Sequence, residues 1–115
     1  MELLTDELLR RFAEIGSQEG KGDDAIVVAK FFTPDSSWTW YATEYDPAAR
    51  EFFGLVDGHD VELGCFSLDE LEEATGPHGL HIERDIWWRE RRLGEVRDDV
   101  VARRLTSGLD DCEVA

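Results

Sequence analysis

The chain has 115 residues, 42% of them hydrophobic and 10% aromatic, with 27 Asp and Glu against 12 Lys and Arg, for a formal net charge of -15. Such a composition belongs to a packed globule with one core, burying roughly two-thirds of the surface its unfolded form exposes, and excludes a disordered acidic tail. The charge argues against direct binding to nucleic acid phosphates or anionic lipid and for a basic protein partner or cations.

Thr5 is placed to cap a helix, Asp6 and Glu7 complement its dipole, and Leu8, Phe12 and Ile15 recur at helical spacing before Gly16. That predicts an amphipathic helix over residues 6–15. Residues 17–24 form a polar connector and the chain's one glycine-rich loop, but its Gly-Lys-Gly run lacks the Gly-Lys-Ser/Thr ending of a phosphate loop. Residues 25–33 read as a central strand, with Ala25, Val27, Ala29 and Phe31 on one face, Ile26, Val28 and Phe32 on the other, and Lys30 interrupting. Thr33-Pro34-Asp35-Ser36-Ser37 is a turn. A second strand over 38–45 puts Trp38, Trp40 and Ala42 on one face and Thr39, Tyr41, Thr43 and Tyr45 on the other.

Asp46-Pro47 ends that strand, and residues 51–57 and 61–67 form a hairpin closed around Asp57-Gly58-His59-Asp60. Ser67 and Glu70 make a capping box that opens a short helix through Leu68, Leu71 and Ala74, closed by Gly76-Pro77. A loop over 78–85, a short fifth strand over 86–89 and a C-terminal helix marked by Leu93, Val96, Val100 and Leu105 follow. The expected fold is α+β, an antiparallel meander of four to five strands with an N-terminal helix, a short helix after the fourth strand and a C-terminal helix. It forms a single domain over 1–106, with a frayed acidic tail over 107–115. Cys65 and Cys112 sit in unrelated contexts and are read as reduced. The amino terminus has neither the basic nor the apolar region of a secretory leader, and no apolar run approaches the ~20 residues of a membrane span, so the expected location is the cytoplasm.

Several words in the chain are specific. They include Gly22-Asp23-Asp24, Lys30-Phe31-Phe32-Thr33-Pro34-Asp35, Trp38-Thr39-Trp40-Tyr41-Ala42-Thr43-Glu44, Phe52-Phe53-Gly54-Leu55-Val56, Gly58-His59, Glu62-Leu63-Gly64 and Gly76-Pro77. In these the chain resembles the family known as domain of unknown function 2958, small single-domain proteins of bacteria often carried with conjugative plasmids and integrative elements. The resemblance covers most of the chain and departs from the family in the arginine-rich and acidic end after Gly94. It implies kinship and a mobile-element setting, and it supplies no catalytic residues.

Charge is unevenly spread. Residues 35–83 hold twelve acids and one base, Arg50, whereas residues 84–104 hold seven arginines and five acids. Asp57, Asp60, Glu62, Asp69, Glu70, Glu72 and Glu73 are the candidate contact residues of an acidic face. A strand brings i and i+2 acids to ~6.6 Å. A helix brings i and i+3 or i+4 acids to ~5–6 Å. The bland alternative is a solvated face that keeps a small protein soluble.

A second cluster, Lys30, Asp35, Trp38, Trp40, Tyr41, Glu44 and His59, is a possible pocket, with Lys30 expected to pair with Asp35 or Glu44 or to guard a sheet edge. The tryptophan pair suits a core, or a stacking platform that the shortage of bases disfavours. His59, His78 and His81 with nearby carboxylates are of metal-ligating type, but His-x-x-His in a Gly-Pro loop is not the helical pair of zinc hydrolases, and the reading calls for no metal and no cofactor. The expectation is therefore an acidic binding module, more a docking protein than an enzyme, which imitates DNA charge on a basic, nucleic-acid-binding partner. The alternatives are a small metal- or nucleotide-dependent hydrolase using His59, Lys30 and nearby carboxylates, and direct nucleic acid binding through the arginines of 84–104.

Overall fold

Strands present alternate residues to opposite faces of a sheet, so a single irregularity transfers the rest of a strand from one core to the other. Two such irregularities set the architecture here. The computed structural model describes residues 1–114, with side chains as far as Thr106. Five antiparallel strands lie in the order β5-β4-β3-β2-β6: β2 (Ala29–Phe32), β3 (Thr39–Asp46), β4 (Glu51–Asp57), β5 (Val61–Ser67) and β6 (Glu83–Arg84). A separate antiparallel pair joins β1 (Ile26–Val27) to β7 (Arg91–Arg92). The helices are α1 (Asp6–Ile15), α2 (Leu68–Glu73) and α3 (Leu93–Val114), and one 3-10 turn spans Gly22–Asp24. This is the expected α+β meander with its three helices.

The helix starts follow from local chemistry. Thr5 Oγ1 accepts the Leu8 N–H at 3.2 Å, and the N–H of Gly16, in the left-handed region at φ 64, closes α1 on the Phe12 carbonyl. Ser67 Oγ accepts the Glu70 N–H at 3.2 Å and opens α2. The first core packs α1 and α2 on one side of the sheet, with Phe12, Phe31, Phe52, Phe66, Leu68 and Leu71 at its centre. Phe52 touches Phe12, Phe31, Tyr45 and Phe66, with ring centroids 4.8–5.8 Å apart. The second core lies under α3 on the opposite side and holds Ala25, Val27, Tyr41, Leu55, Leu93, Val96 and Val100.

The expected face assignments fail at the two irregularities. Val27 belongs to the second core while Val28, Ala29 and Phe31 belong to the first, because the strand is interrupted at Val28 between β1 and β2. In β3 the register slips between Ala42, opposite Gly54, and Glu44, opposite Phe53, leaving Thr43 as the extra residue of a bulge. Tyr41 therefore serves the second core and Tyr45 packs against the first, although both stood on one expected face. The strand expected over 86–89 is instead a turn, with β6 before it and β7 after it. Leu105 is 65% exposed and belongs to neither core. The frayed tail expected over 107–115 lies outside the residues whose side chains are described.

Gln18 holds the bulge. Its buried side-chain amide accepts the Ile26 N–H at 2.6 Å and donates to the carbonyls of Ile26 at 2.8 Å and Thr43 at 2.7 Å, while Thr43 Oγ1 donates to Phe53 O at 3.1 Å. Gln18→Leu strands three backbone groups and should cost about 3 kcal/mol in urea denaturation. Gln18→Glu should be worse at neutral pH, since a carboxylate cannot donate, and should regain stability as pH falls and protonation restores a donor.

Candidate functional site

The outer strand β5 is an edge of the five-stranded sheet with apolar surface left uncovered beside it. No strand pairs with its outer side among the described residues. On the α3 side, Leu93, Val96 and Val100 cover Tyr41 and Leu55, whereas Phe53 (37% exposed), Leu63 (50% exposed) and Cys65 stay open. Register places Glu44, Phe53 and Cys65 in one row across β3, β4 and β5. Between this surface and the glycine-rich loop lies an open cleft of about 460 Å³, lined by Gln18, Glu19, Glu44, Phe53, Leu63 and Leu93 among others and by no Lys or Arg. Such a lining repels phosphate and suits an apolar group beside a cation. Local desolvation, then the neighbouring Glu51 and Glu44 carboxylates, push the Cys65 thiol above its ordinary value, so it stays protonated and a poor nucleophile at neutral pH.

On the other side of β5 a groove of about 370 Å³ is lined by Trp38, Val56, His59, Asp60, Glu62 and Gly64, together with Leu63 and Cys65. Trp38 stacks edge-on against His59 with centroids 5.3 Å apart and lies 5.9 Å from Trp40. The hairpin turn needs Gly58 because a Cβ there would run into the Trp38 indole. Arg104 reaches from α3 to clamp the same turn, donating to Asp57 Oδ1 at 2.6 and 2.9 Å, to His59 O at 3.1 Å and to Gly58 O.

The possible pocket expected from Lys30, Asp35, Trp38, Trp40, Tyr41, Glu44 and His59 is thus not one site. Trp38 and His59 share the groove, Trp40 packs against the first core, and Glu44 lines the cleft. Lys30 and Tyr41 face the second core. The ion-pair partner of Lys30 is Asp85 at 3.6 Å rather than Asp35 or Glu44, and its ammonium stands 5.9 Å from the centroids of both the Tyr41 and Trp88 rings. Asp35 is taken up by the loop after α2, its Oδ2 accepting the His78 N–H at 2.7 Å. Lys30 and His59, the pair of the hydrolase alternative, lie on opposite sides of the sheet. His59, His78 and His81 do not converge, and among the described residues no group of three or more His, Cys, Asp or Glu is placed to hold a metal ion.

The seven expected acids fall into two groups at opposite ends of β5, a seven-residue strand about 20 Å long. Asp57, Asp60 and Glu62 stand at the hairpin, and Asp69, Glu70, Glu72 and Glu73 stand on α2. Asp57 is paired with Arg104, and Asp69 and Glu72 share Arg50 at 2.9 and 3.3 Å. Asp60, Glu62, Glu70 and Glu73 make no ion pair among the described residues. The C-terminal arginines are largely spoken for: Arg91 by Asp99 and Glu95, Arg92 by Asp24 and Glu95, and Arg97 by Asp23. Arg84, Arg89 and Arg103 make no ion pair among the described residues. No helix among the described residues is long and apolar enough to cross a membrane.

Sequence reasoning missed Gln18, Phe53 and Leu63. Gln18 looks like one more polar linker residue, and the two apolar residues alternate as core residues would.

Desolvation raises Tyr41 above 10.0, opposed by the hydrogen bond that Arg103 donates to its hydroxyl at 3.1 Å. Tyr45 is raised as well, again chiefly by desolvation. A raised folded value favours the neutral phenol, so this contribution to stability is complete below the unfolded value and disappears as pH rises through the folded one. Tyrosinate absorbance should show both tyrosines titrating late. Arg103→Ala should move one titration later still, and Tyr41→Phe should remove that one.

The wider comparisons give kinship alone. No curated protein and no solved structure matches the chain. A family model described as "Protein of unknown function (DUF2958)" matches residues 3–96, and the chain belongs to that family.

Proposed function

We propose that this domain is an acidic binding module that docks on a basic, nucleic-acid-binding protein, its carboxylates standing in for phosphates. One observation carries the reading: internal ion pairs engage Arg91, Arg92, Arg97 and Arg104 near α3, while Asp60, Glu62, Glu70 and Glu73 stay exposed and unpaired at the two ends of β5 among the described residues. Glu44 and Glu51, which make no ion pair among the described residues, add further charge on the cleft side. A field of one sign accelerates encounter with an oppositely charged surface and selects against anionic competitors. The bacterial, mobile-element setting implied by the resemblance offers DNA-handling proteins as partners of the required charge. The carboxylates form two clusters rather than a continuous phosphate-like row, so the imitation is of charge and not of helical repeat.

Titration of the labelled domain with protamine, a basic DNA-binding protein, tests this. Binding should be strong at low salt, lost at high salt and reversed by duplex DNA competing for the protamine. The combined Asp60→Lys, Glu62→Lys, Glu70→Lys and Glu73→Lys variant should bind about tenfold or more weakly, or about 1.4 kcal/mol. Reversing Glu2, Asp6, Glu7 and Asp98 together changes the net charge equally and should have a much smaller effect. Equal losses from the two variants would mean that only net charge is read, and the docking face would fall.

A further inference from the structure

The outer edge of β5 is a seven-residue strand whose outward backbone groups have no partner among the described residues. Sheets ordinarily guard such an edge with proline, lysine, a bulge or a covering element. Val61-Glu62-Leu63-Gly64-Cys65-Phe66-Ser67 has none of the first two, and the bulge lies two strands inward on β3. The opposite edge, β6, is two residues long and has the Met1 sulfur against the Arg84 N–H at 3.2 Å. Among the described residues only β5 offers a long free template.

Two unlike grooves border this edge, one on each side of the sheet, and Leu63 lines both. The cleft on the α3 side has Phe53 and Leu63 as apolar surface. The groove on the other side has Asp60, Glu62 and the Trp38 ring, with open space above Gly64 where a side chain would otherwise stand. A strand sends alternate side chains to opposite faces, so one extended chain laid along β5 would serve both grooves at once.

We propose that the edge of β5 takes an extended segment of the basic partner as an added strand, with apolar side chains toward Leu63 and Phe53 and Lys or Arg toward Asp60, Glu62 and Trp38. This rests on the docking function proposed above and names the mode of recognition. Main-chain hydrogen bonds to β5 supply the attachment, and the tryptophan face adds cation–π attraction to the carboxylates. A second copy of this chain is a poor occupant, because each copy carries -15 and its own β5 strand brings no Lys or Arg to Asp60 and Glu62.

The test uses the full chain with Cys112→Ser, so that Cys65 is its one thiol, and three short synthetic peptides. One alternates Lys and Leu, one has the same composition in two blocks, and one alternates but is N-methylated at every second residue along one edge. The alternating peptide should slow amide hydrogen exchange along β5 and alkylation of Cys65 by about tenfold or more at saturation. The N-methylated peptide should bind at least about tenfold more weakly, as should the alternating peptide to Leu63→Asp. If all three peptides bind alike and lose affinity alike with Asp60→Lys and Glu62→Lys, the domain still docks basic chains but not by strand addition. If none binds at low salt, the docking function falls with it. Protection of β5 in the protein alone, with a dimer in sedimentation, would assign the edge to a second copy and overturn the proposal.

Discussion

The architecture turns on the extra residue at Thr43. Because β3 gains one residue against β4 there, the half of the strand before it sends Tyr41 into the core beneath α3, and the half after it sends Tyr45 to the aromatic core beneath α1. A bulge leaves backbone groups outside the ladder, and a buried carbonyl without a donor is costly. Gln18 resolves this from a loop, giving its two donors to Thr43 and Ile26 and taking the Ile26 N–H in return. The same amide thereby ties the glycine-rich connector to the sheet and sets one wall of the cleft.

That arrangement explains why surface remains open on β5. Helix α3 starts beside Ala25, passes over Tyr41 and Leu55, and ends its described contacts at the hairpin turn through Arg104. Its path covers the middle of the sheet and leaves the outer strand bare. Arg91, Arg92, Arg97 and Arg104, which might have neutralised the acidic side, are engaged along this path by Asp23, Asp24, Glu95, Asp99 and Asp57. Packing and electrostatics therefore leave the same region free.

Much of the fold was legible because its signals are local. The hairpin of residues 51–57 and 61–67, the Thr5 and Ser67 caps and the Gly16 stop each depend on neighbours in the chain, and each forms where expected. What could not be read depends on distant partners. Alternation fixes the faces of a strand only while the strand is regular, and nothing in Val27-Val28-Ala29 or Ala42-Thr43-Glu44 marks the interruptions. The fifth strand is two residues of backbone pairing at Glu83–Arg84, too short for periodicity to show. At the site, Trp38 and His59 meet through the turn geometry, and Arg104 finds Asp57 across 47 residues. The cleft gathers residues from Gln18 to Leu93. The partner of Lys30 is hidden for the same reason, since Asp85 reaches it only when the chain at β6 folds along β2.

The unguarded strand also makes the protein's colloidal behaviour conditional. With neither proline nor lysine on β5, mutual repulsion between molecules is what keeps one exposed ladder from joining another. That repulsion fades as acidification approaches the isoelectric point near 4.4 and the carboxylates take up protons. Leu63 and Phe53 then adjoin a bare hydrogen-bonding edge with no field to hold neighbours apart. The condition that leaves this strand open to visitors at neutral pH is the one that makes it sticky in acid.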